Sequence, residues 1–263
     1  MRMELFSIGP FTIYSYGLMI AVGILVCIAM GMYRAKKRGM SDDAVLTIAI
    51  IGVLSGFIGA KLLYVIVEFD QFIEDPMSVM GGEGFVVYGG IIVGVLSAVI
   101  YCRQKKLVFL EYFDLLAPSI AVAQGFGRIG CFLAGCCYGR ETDSFLGVIF
   151  PEHSMAPSGV KLLPTQLFSS AGDFLIMAIL LLYSRKTRPK GRTGALYLIL
   201  YGIGRFLIEF LRADDRGTVG SLSTSQFISI GIVAVGLILF FSSKLFRKIF
   251  HRAEKAVTTS PEE

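Results

Sequence analysis

The sequence predicts an all-α polytopic membrane protein: seven transmembrane helices, N-terminus outside, C-terminus cytoplasmic, with a small outer head formed by loops. Three observations carry this. Of 263 residues, 54% are hydrophobic and only 17% charged, less charge than a soluble surface of this size carries. The apolar residues come in blocks of about 20, enough to cross roughly 30 Å of hydrocarbon, whereas a β-barrel shows short alternating segments. The basic residues gather beside every second block.

In order, the blocks run roughly over 14–33, 44–67, 85–102, 108–126, 166–184, 194–212 and 225–243. The third is short and the fourth contains Pro118, so a tilt or kink is expected there. Four basic residues lie in 34–38, three in 103–106, five in 185–192 and five in the tail, all on one side of a seven-span chain. The positive-inside rule makes that side cytoplasmic. The opposite loops hold Glu68, Asp70, Glu74, Asp75 and Glu83, then the long polar stretch 138–165, then Asp214, Asp215 and Arg216. Residues 1–243 therefore form one transmembrane domain, with an outer head from 68–84 and 138–165. Residues 244–263 form a basic cytoplasmic tail, partly disordered.

The net charge of +5 is a topology signal, and no nucleic-acid partner is expected. Five cysteines without a small secreted scaffold argue against a disulfide framework. No cleavable signal peptide is expected, because the first apolar run lacks a basic flank before it and has Arg34-Ala35-Lys36-Lys37-Arg38 after it.

Several residues do not suit a bilayer. Lys61, Arg128 and Arg205 lie inside or at the ends of spans, where a charge costs on the order of 2.5–3.5 kcal/mol on insertion scales. Such groups either snorkel to a headgroup or face a polar cavity. Tyr201, Arg205, Glu209 and Arg212 fall on one helical stripe. The stripe admits a self-neutralising Arg205–Glu209 pair or an anion site in which Glu209 orients Arg205, since a guanidinium matches phosphate oxygens bidentately. Tyr14 and Tyr16 mark the outer edge of the first span, and Tyr88 precedes Gly89-Gly90 near another. Gly52-x-x-x-Gly56 and Gly90-x-x-x-Gly94 suit close helix packing. Asp173 is a polar residue within the fifth span.

The stretch Gly125–Arg140 concentrates these oddities: a Gly-x-Gly-x-x-Gly pattern, Arg128 and three cysteines. Cys131-x4-Cys136-Cys137 is not a Cys-x-x-Cys spacing, so neither a metal nor a cofactor is expected. Cys131 and Cys136 are either small packing residues or reactive thiols near the Arg128 cation.

Gly127-Arg128-Ile129-Gly130-Cys131-Phe132-Leu133-Ala134-Gly135-Cys136-Cys137-Tyr138-Gly139-Arg140 resembles the signature of the bacterial prolipoprotein diacylglyceryl transferase family. So do Tyr16-Gly17-Leu18-Met19, Gly59-Ala60-Lys61, Tyr88-Gly89-Gly90, Pro164-Thr165-Gln166-Leu167, and Tyr201-Gly202 with Arg205, Glu209 and Arg212. The chain departs from the family pattern at Cys131 (usually Asn), Cys136 (usually Glu), Tyr88 (usually His), Lys61 (usually Arg) and Phe168-Ser169 (usually Tyr-Glu).

The resemblance implies transfer of a diacylglyceryl group from phosphatidylglycerol to the lipobox cysteine of a prolipoprotein signal peptide. A thioether forms and glycerol phosphate leaves, in the bacterial cytoplasmic (inner) membrane among its lipids. It implies Arg128, Arg205, Glu209 and Tyr88 as catalytic residues. It implies Arg128, Tyr16, Tyr201, Gly139 and Arg212 as substrate-binding residues. The chain's only histidines are His153, in an outer loop, and His251, in the tail, so the thiol-activating base is missing from the motif. Two other functions compete: a lipid-group transferase with another acceptor, and an anion or lipid transporter.

Overall fold

A computed structural model describes residues 4–8, 11–82, 84–214 and 217–258. The expectations for Glu83, Asp215, Arg216 and the tail end 259–263 lie outside the described residues. The chain is mostly helical and has several helices able to cross a membrane. It divides into two compact units, residues 31–112 and residues 1–30 with 113–263.

The first unit is built on α2 (Asp42–Val67) and α5 (Val87–Gln104). Ser41 starts α2 by accepting from the Ala44 N–H at 3.1 Å, and Asp42 and Asp43 place acid at its positive end. Glycines then let the two backbones touch. A β-carbon at Gly59 would meet the Gly89 carbonyl at 2.5 Å, and one at Gly90 would meet the Gly56 carbonyl at 2.7 Å. The expected small-residue packing is therefore present, because lipid supplies no hydrophobic drive and close contact must substitute. Two short helices, α3 (Phe69–Glu74) and α4 (Pro76–Gly81), fill the stretch expected to be a loop. Lys61 donates to the Gly82 and Gly84 carbonyls at 2.8 and 3.3 Å and lies 5.1 and 5.0 Å from the Tyr64 and Phe85 rings. Its charge is thus spent tying down the chain that leads into α5.

The second unit begins with an antiparallel hairpin, β1 (Glu4–Ile8) and β2 (Phe11–Tyr14), feeding α1 (Ser15–Lys37). Helix α6 (Phe109–Ala134) runs on through Pro118 and eight residues past the expected end of the fourth span. Its glycines are accommodated by neighbours: Gly125 faces the Phe174 ring, and Gly130 faces Tyr16 and Met19 of α1.

Helices α7 (Thr165–Tyr183) and α8 (Arg192–Glu209) close on α6 around Ala117, Ala121, Ile176, Leu180 and Tyr197. Ser170 donates to the Gly125 carbonyl at 2.9 Å, and Tyr197 donates to Gln124 Oε1 at 2.8 Å. Asp114 of α6 accepts from the N–H groups of Gly191 and Gly194 at 2.6 and 2.7 Å. It thereby caps α8, whose own N-cap residue, the left-handed Gly191, has no side chain to do so.

Helix α9 (Thr224–Thr258) packs along α8, where Gly202 faces Val233 and Gly236 faces Ile199. Two further strand pairs, β3 (Val148–Ile149) with β4 (Lys161–Leu162) and β5 (Thr218–Val219) with β6 (Leu222–Ser223), sit between helices. Residues 138–165 carry a small core of their own, with Phe150, Ala156 and Leu162 buried against Phe132 and Tyr138.

Six helices among the described residues meet the length and apolarity needed to span a bilayer. The helix left out is α8, because Arg192, Arg205 and Glu209 all fall within its 18 residues.

Candidate active site: two arginine cavities and a thiol cluster

Helices α6, α7 and α8 enclose a cavity of about 120 Å³ lined by Arg128, Asp173, Tyr201, Arg205 and apolar neighbours. Two of the expected phosphate ligands, Arg128 and Arg205, are therefore brought together from residues 77 positions apart in the chain. Arg205 is held on two sides. Its Nη1 donates to Glu209 Oε2 at 2.5 Å and its Nη2 donates to Ser225 Oγ at 2.7 Å. Its side chain is only 9% exposed and that of Glu209 8%. The next turn of α8 thus supplies the carboxylate, and α9 supplies the hydroxyl. Paired in this way, Arg205 still lines the cavity.

Beyond Glu209 lies a more open cleft of about 480 Å³, lined by Glu209, Arg212, Asp214, Thr218 and Gln226. Arg212 donates from Nε and Nη2 to the two Asp214 carboxylate oxygens at 2.9 and 2.7 Å, and its Nε lies 3.9 Å from Glu209. Burial works to strip its proton, but hydrogen bonds to Asp214 and Cys137 override it and raise its pKa. The Arg205–Glu209 pair stands between the two spaces, one partner lining each.

Tyr201 lines the first cavity with its ring stacked on Tyr197, centroids 5.9 Å apart. Tyr16 sits at the start of α1, 43% exposed, its ring 3.1 Å from where a Gly130 β-carbon would be. Gly139 forms an isolated bridge with Arg212 and donates its N–H to the Leu163 carbonyl at 2.9 Å. A β-carbon there would meet Thr165 and Leu163 at 2.7 and 2.8 Å, so the structure gives Gly139 a role in backbone geometry. Tyr88 lies at the start of α5 in the other unit, 36% exposed.

Past Ala134 the chain turns sharply, with Gly135 at φ 76° and Cys137 at φ 63°. This turn folds Cys136 and Cys137 back onto Cys131, and the three sulfur atoms all lie within 4.8 Å of one another. Sequence spacing argued against a metal site here, but the left-handed turn joins thiols that spacing kept apart. None of the five cysteines is in a disulfide. The Pro164-Thr165-Gln166 motif secures the turn: Thr165 Oγ1 donates to the Cys137 carbonyl at 2.8 Å and Gln166 Nε2 to the Cys136 carbonyl at 2.7 Å. Hydrogen bonds from Cys131 and Cys136, then from Arg212, push the Cys137 thiol toward thiolate. Cys136, as a donor in the same cluster, is pushed the other way.

Asp173, Ser225 and Asp214 are the polar groups that complete these sites and that sequence reasoning did not assign. Asp173 left a signal, a carboxylate in mid-span. Ser225 left none, because its contact with Arg205 is made across 20 residues.

The site defines a helical membrane protein with two arginines lining one cavity between its helices, an arrangement suited to an anionic group. Residues 3–242 match the family described as prolipoprotein diacylglyceryl transferase, and the chain belongs to it. It is 48% identical over 249 residues, 94% of this chain and 100% of the relative, to phosphatidylglycerol–prolipoprotein diacylglyceryl transferase of Clostridium tetani. A second such enzyme, from Clostridium perfringens, is 49% identical over 247 residues, covering 93% and 96% of the two chains. One from Finegoldia magna is 36% identical over 238 residues, covering 89% and 92%.

Proposed function

We propose that this protein transfers the diacylglyceryl group of phosphatidylglycerol to the lipobox cysteine of prolipoprotein signal peptides. The acceptor sulfur attacks the glyceryl carbon, a thioether forms, and glycerol phosphate leaves. The observation that carries this is the cavity in which Arg128 and Arg205 line one space between helices, joined to membership of the transferase family.

Negative charge grows on the phosphate as the C–O bond breaks. Fixed guanidinium groups in a water-poor cavity stabilise it where it develops. Arg128 and Arg205 take the phosphate oxygens, Glu209 and Ser225 orient Arg205, and Tyr16 and Tyr201 donate to the headgroup. Arg212, held by Asp214 in the neighbouring cleft, serves the substrate on that side. Tyr88 relays the proton released by the acceptor thiol. The bundle spans the bacterial cytoplasmic membrane seven times, with α8 as the sixth span, its N-terminus outside and the head 138–165 facing the exported substrate.

The test is direct. Purified protein in detergent is mixed with labelled phosphatidylglycerol and a lipobox peptide, and the thioether product is measured. Product that requires both substrates supports the reading. Intact protein that forms none overturns it.

A further inference from the structure

Cys131, Cys136 and Cys137 are more ordered than packing requires. Cys137 occupies the left-handed backbone region at φ 63°, which a β-carbon disfavours and which persists only where surrounding contacts hold it. Those contacts are present: the Thr165 and Gln166 side chains grip the carbonyls of Cys137 and Cys136, and the Cys136 N–H bonds the Cys131 carbonyl at 3.1 Å. Gln166 Oε1 is itself buried with no hydrogen-bond partner among the described residues.

The three sulfurs lie within 4.8 Å of one another. Zinc–sulfur bonds of about 2.3 Å set three sulfurs about 4 Å apart, so movements under about 1 Å close the triad on one ion. Cys131 is buried, while Cys136 and Cys137 are partly exposed, which leaves one side of the triad open. Arg128 precedes Cys131 by three residues on α6, so one helix face carries a proposed phosphate ligand and a sulfur ligand together.

We propose that Cys131, Cys136 and Cys137 form a three-thiolate site for a soft divalent cation of the zinc type, whose open fourth position binds and activates the acceptor cysteine. This rests on the transferase reading above. Three protein ligands with a fourth position open is the arrangement of catalytic rather than structural zinc. A thiol that coordinates such an ion is deprotonated outright. The acceptor thiol displaces water from the ion and gives up its proton, which passes by way of Tyr88 to solvent. Its sulfur then uses one electron pair to form the C–S bond, the C–O bond breaks, and that pair leaves on the phosphate oxygen of glycerol phosphate. The neutral thioether then dissociates from the ion. No oxidant or reductant is needed. The site accounts for a transferase whose motifs contain no histidine: the metal supplies the acidity that a strong base would otherwise have to overcome.

The full-length protein in detergent is stripped with a chelator under reducing conditions and titrated with cadmium(II), whose thiolate charge-transfer absorbance reports ligation. One ion per chain is expected, with loss of the band in Cys131→Ser, Cys136→Ser and Cys137→Ser variants that keep wild-type helical circular dichroism. In the same preparation, transfer between phosphatidylglycerol and a lipobox peptide falls at least about tenfold on stripping and returns with zinc(II). Stripped wild-type protein that transfers at full rate overturns the catalytic role even where cadmium binds. Absence of a charge-transfer band in the wild type overturns the site itself, and transfer can still proceed. A normal cadmium band with no transfer by zinc-loaded protein overturns the transferase reading instead, so the two failures are distinguishable.

Discussion

Arg128 carries a cation into the apolar body of α6 and lines a cavity with Asp173 and Arg205, a placement that suits binding of a phosphate there. Removing a preorganised donor aimed at developing charge costs on the order of 10²–10³ in rate. Arg128→Ala is therefore expected to lower kcat for diacylglyceryl transfer by about that factor while helicity and detergent solubility stay normal. Retained activity removes Arg128 from the phosphate site.

Glu209 acts through Arg205. Glu209→Gln keeps the side chain's shape but loses the charge that fixes the guanidinium. We expect kcat/KM to fall about tenfold, a loss of about 1.4 kcal/mol, with KM for phosphatidylglycerol carrying part of it. An unchanged KM and kcat would make the pair purely structural.

Tyr88→Phe deletes one hydroxyl. A drop of about tenfold in kcat is expected for a relay, small beside the 10²–10⁴ of a full general base. Near-normal transfer by that variant excludes the relay.

The sequence is informative about side-chain partners where they sit one helical turn apart. Arg205 and Glu209 are legible from their spacing alone. Asp173 is legible as a carboxylate in mid-span, whereas Ser225 and the convergence of the three thiols are not, because they depend on which helices meet and on a turn whose φ angles no local pattern encodes.

The long helices were legible as elements because lipid demands continuous apolar runs, and hydropathy records them directly. Their ends were less so. Helix α6 outruns its predicted end because Gly125 and Gly130 are small enough to pack against Phe174 and Tyr16 without breaking the helix. Two of the three strand pairs, β3–β4 and β5–β6, leave no pattern in the sequence, since two-residue strands are too short to show alternation.

The start of α8 depends on a carboxylate from another helix. Gly191 cannot cap the helix, and Asp114, 8% exposed on α6, takes both N–H groups. Asp114→Ala leaves those donors buried and unpaired, at a cost of about 1–3 kcal/mol each before relaxation. Thermal unfolding in detergent should shift downward by several degrees. Asp114→Asn, which keeps an acceptor for one donor, should fall between. A variant as stable as the wild type would show that α8 does not rely on this cap.

For the whole molecule, the decisive question is whether α8 spans. Six helices are apolar enough by composition, and six spans would put both termini on one side. The charges that exclude α8 from that set are accounted for by the structure. Arg205 and Glu209 neutralise each other with 9% and 8% exposure, and Arg192 lies at the first residue of the helix, where its side chain stacks on the Phe240 ring at 4.6 Å. A paired, buried charge carries far less of the insertion penalty than a free one. Counting α8 as a span gives seven and places the basic clusters at 34–38, 103–106 and 185–192 on the same side as the tail. A six-span chain would break that agreement after α7. Protease cleavage of inserted tags decides between them. A tag after Glu263 should be protected in intact spheroplasts and cut in inverted vesicles, and a tag at Phe145, which is 89% exposed, should show the reverse. Cleavage of both tags from the same side would mean that α8 does not cross and that the seven-span count fails.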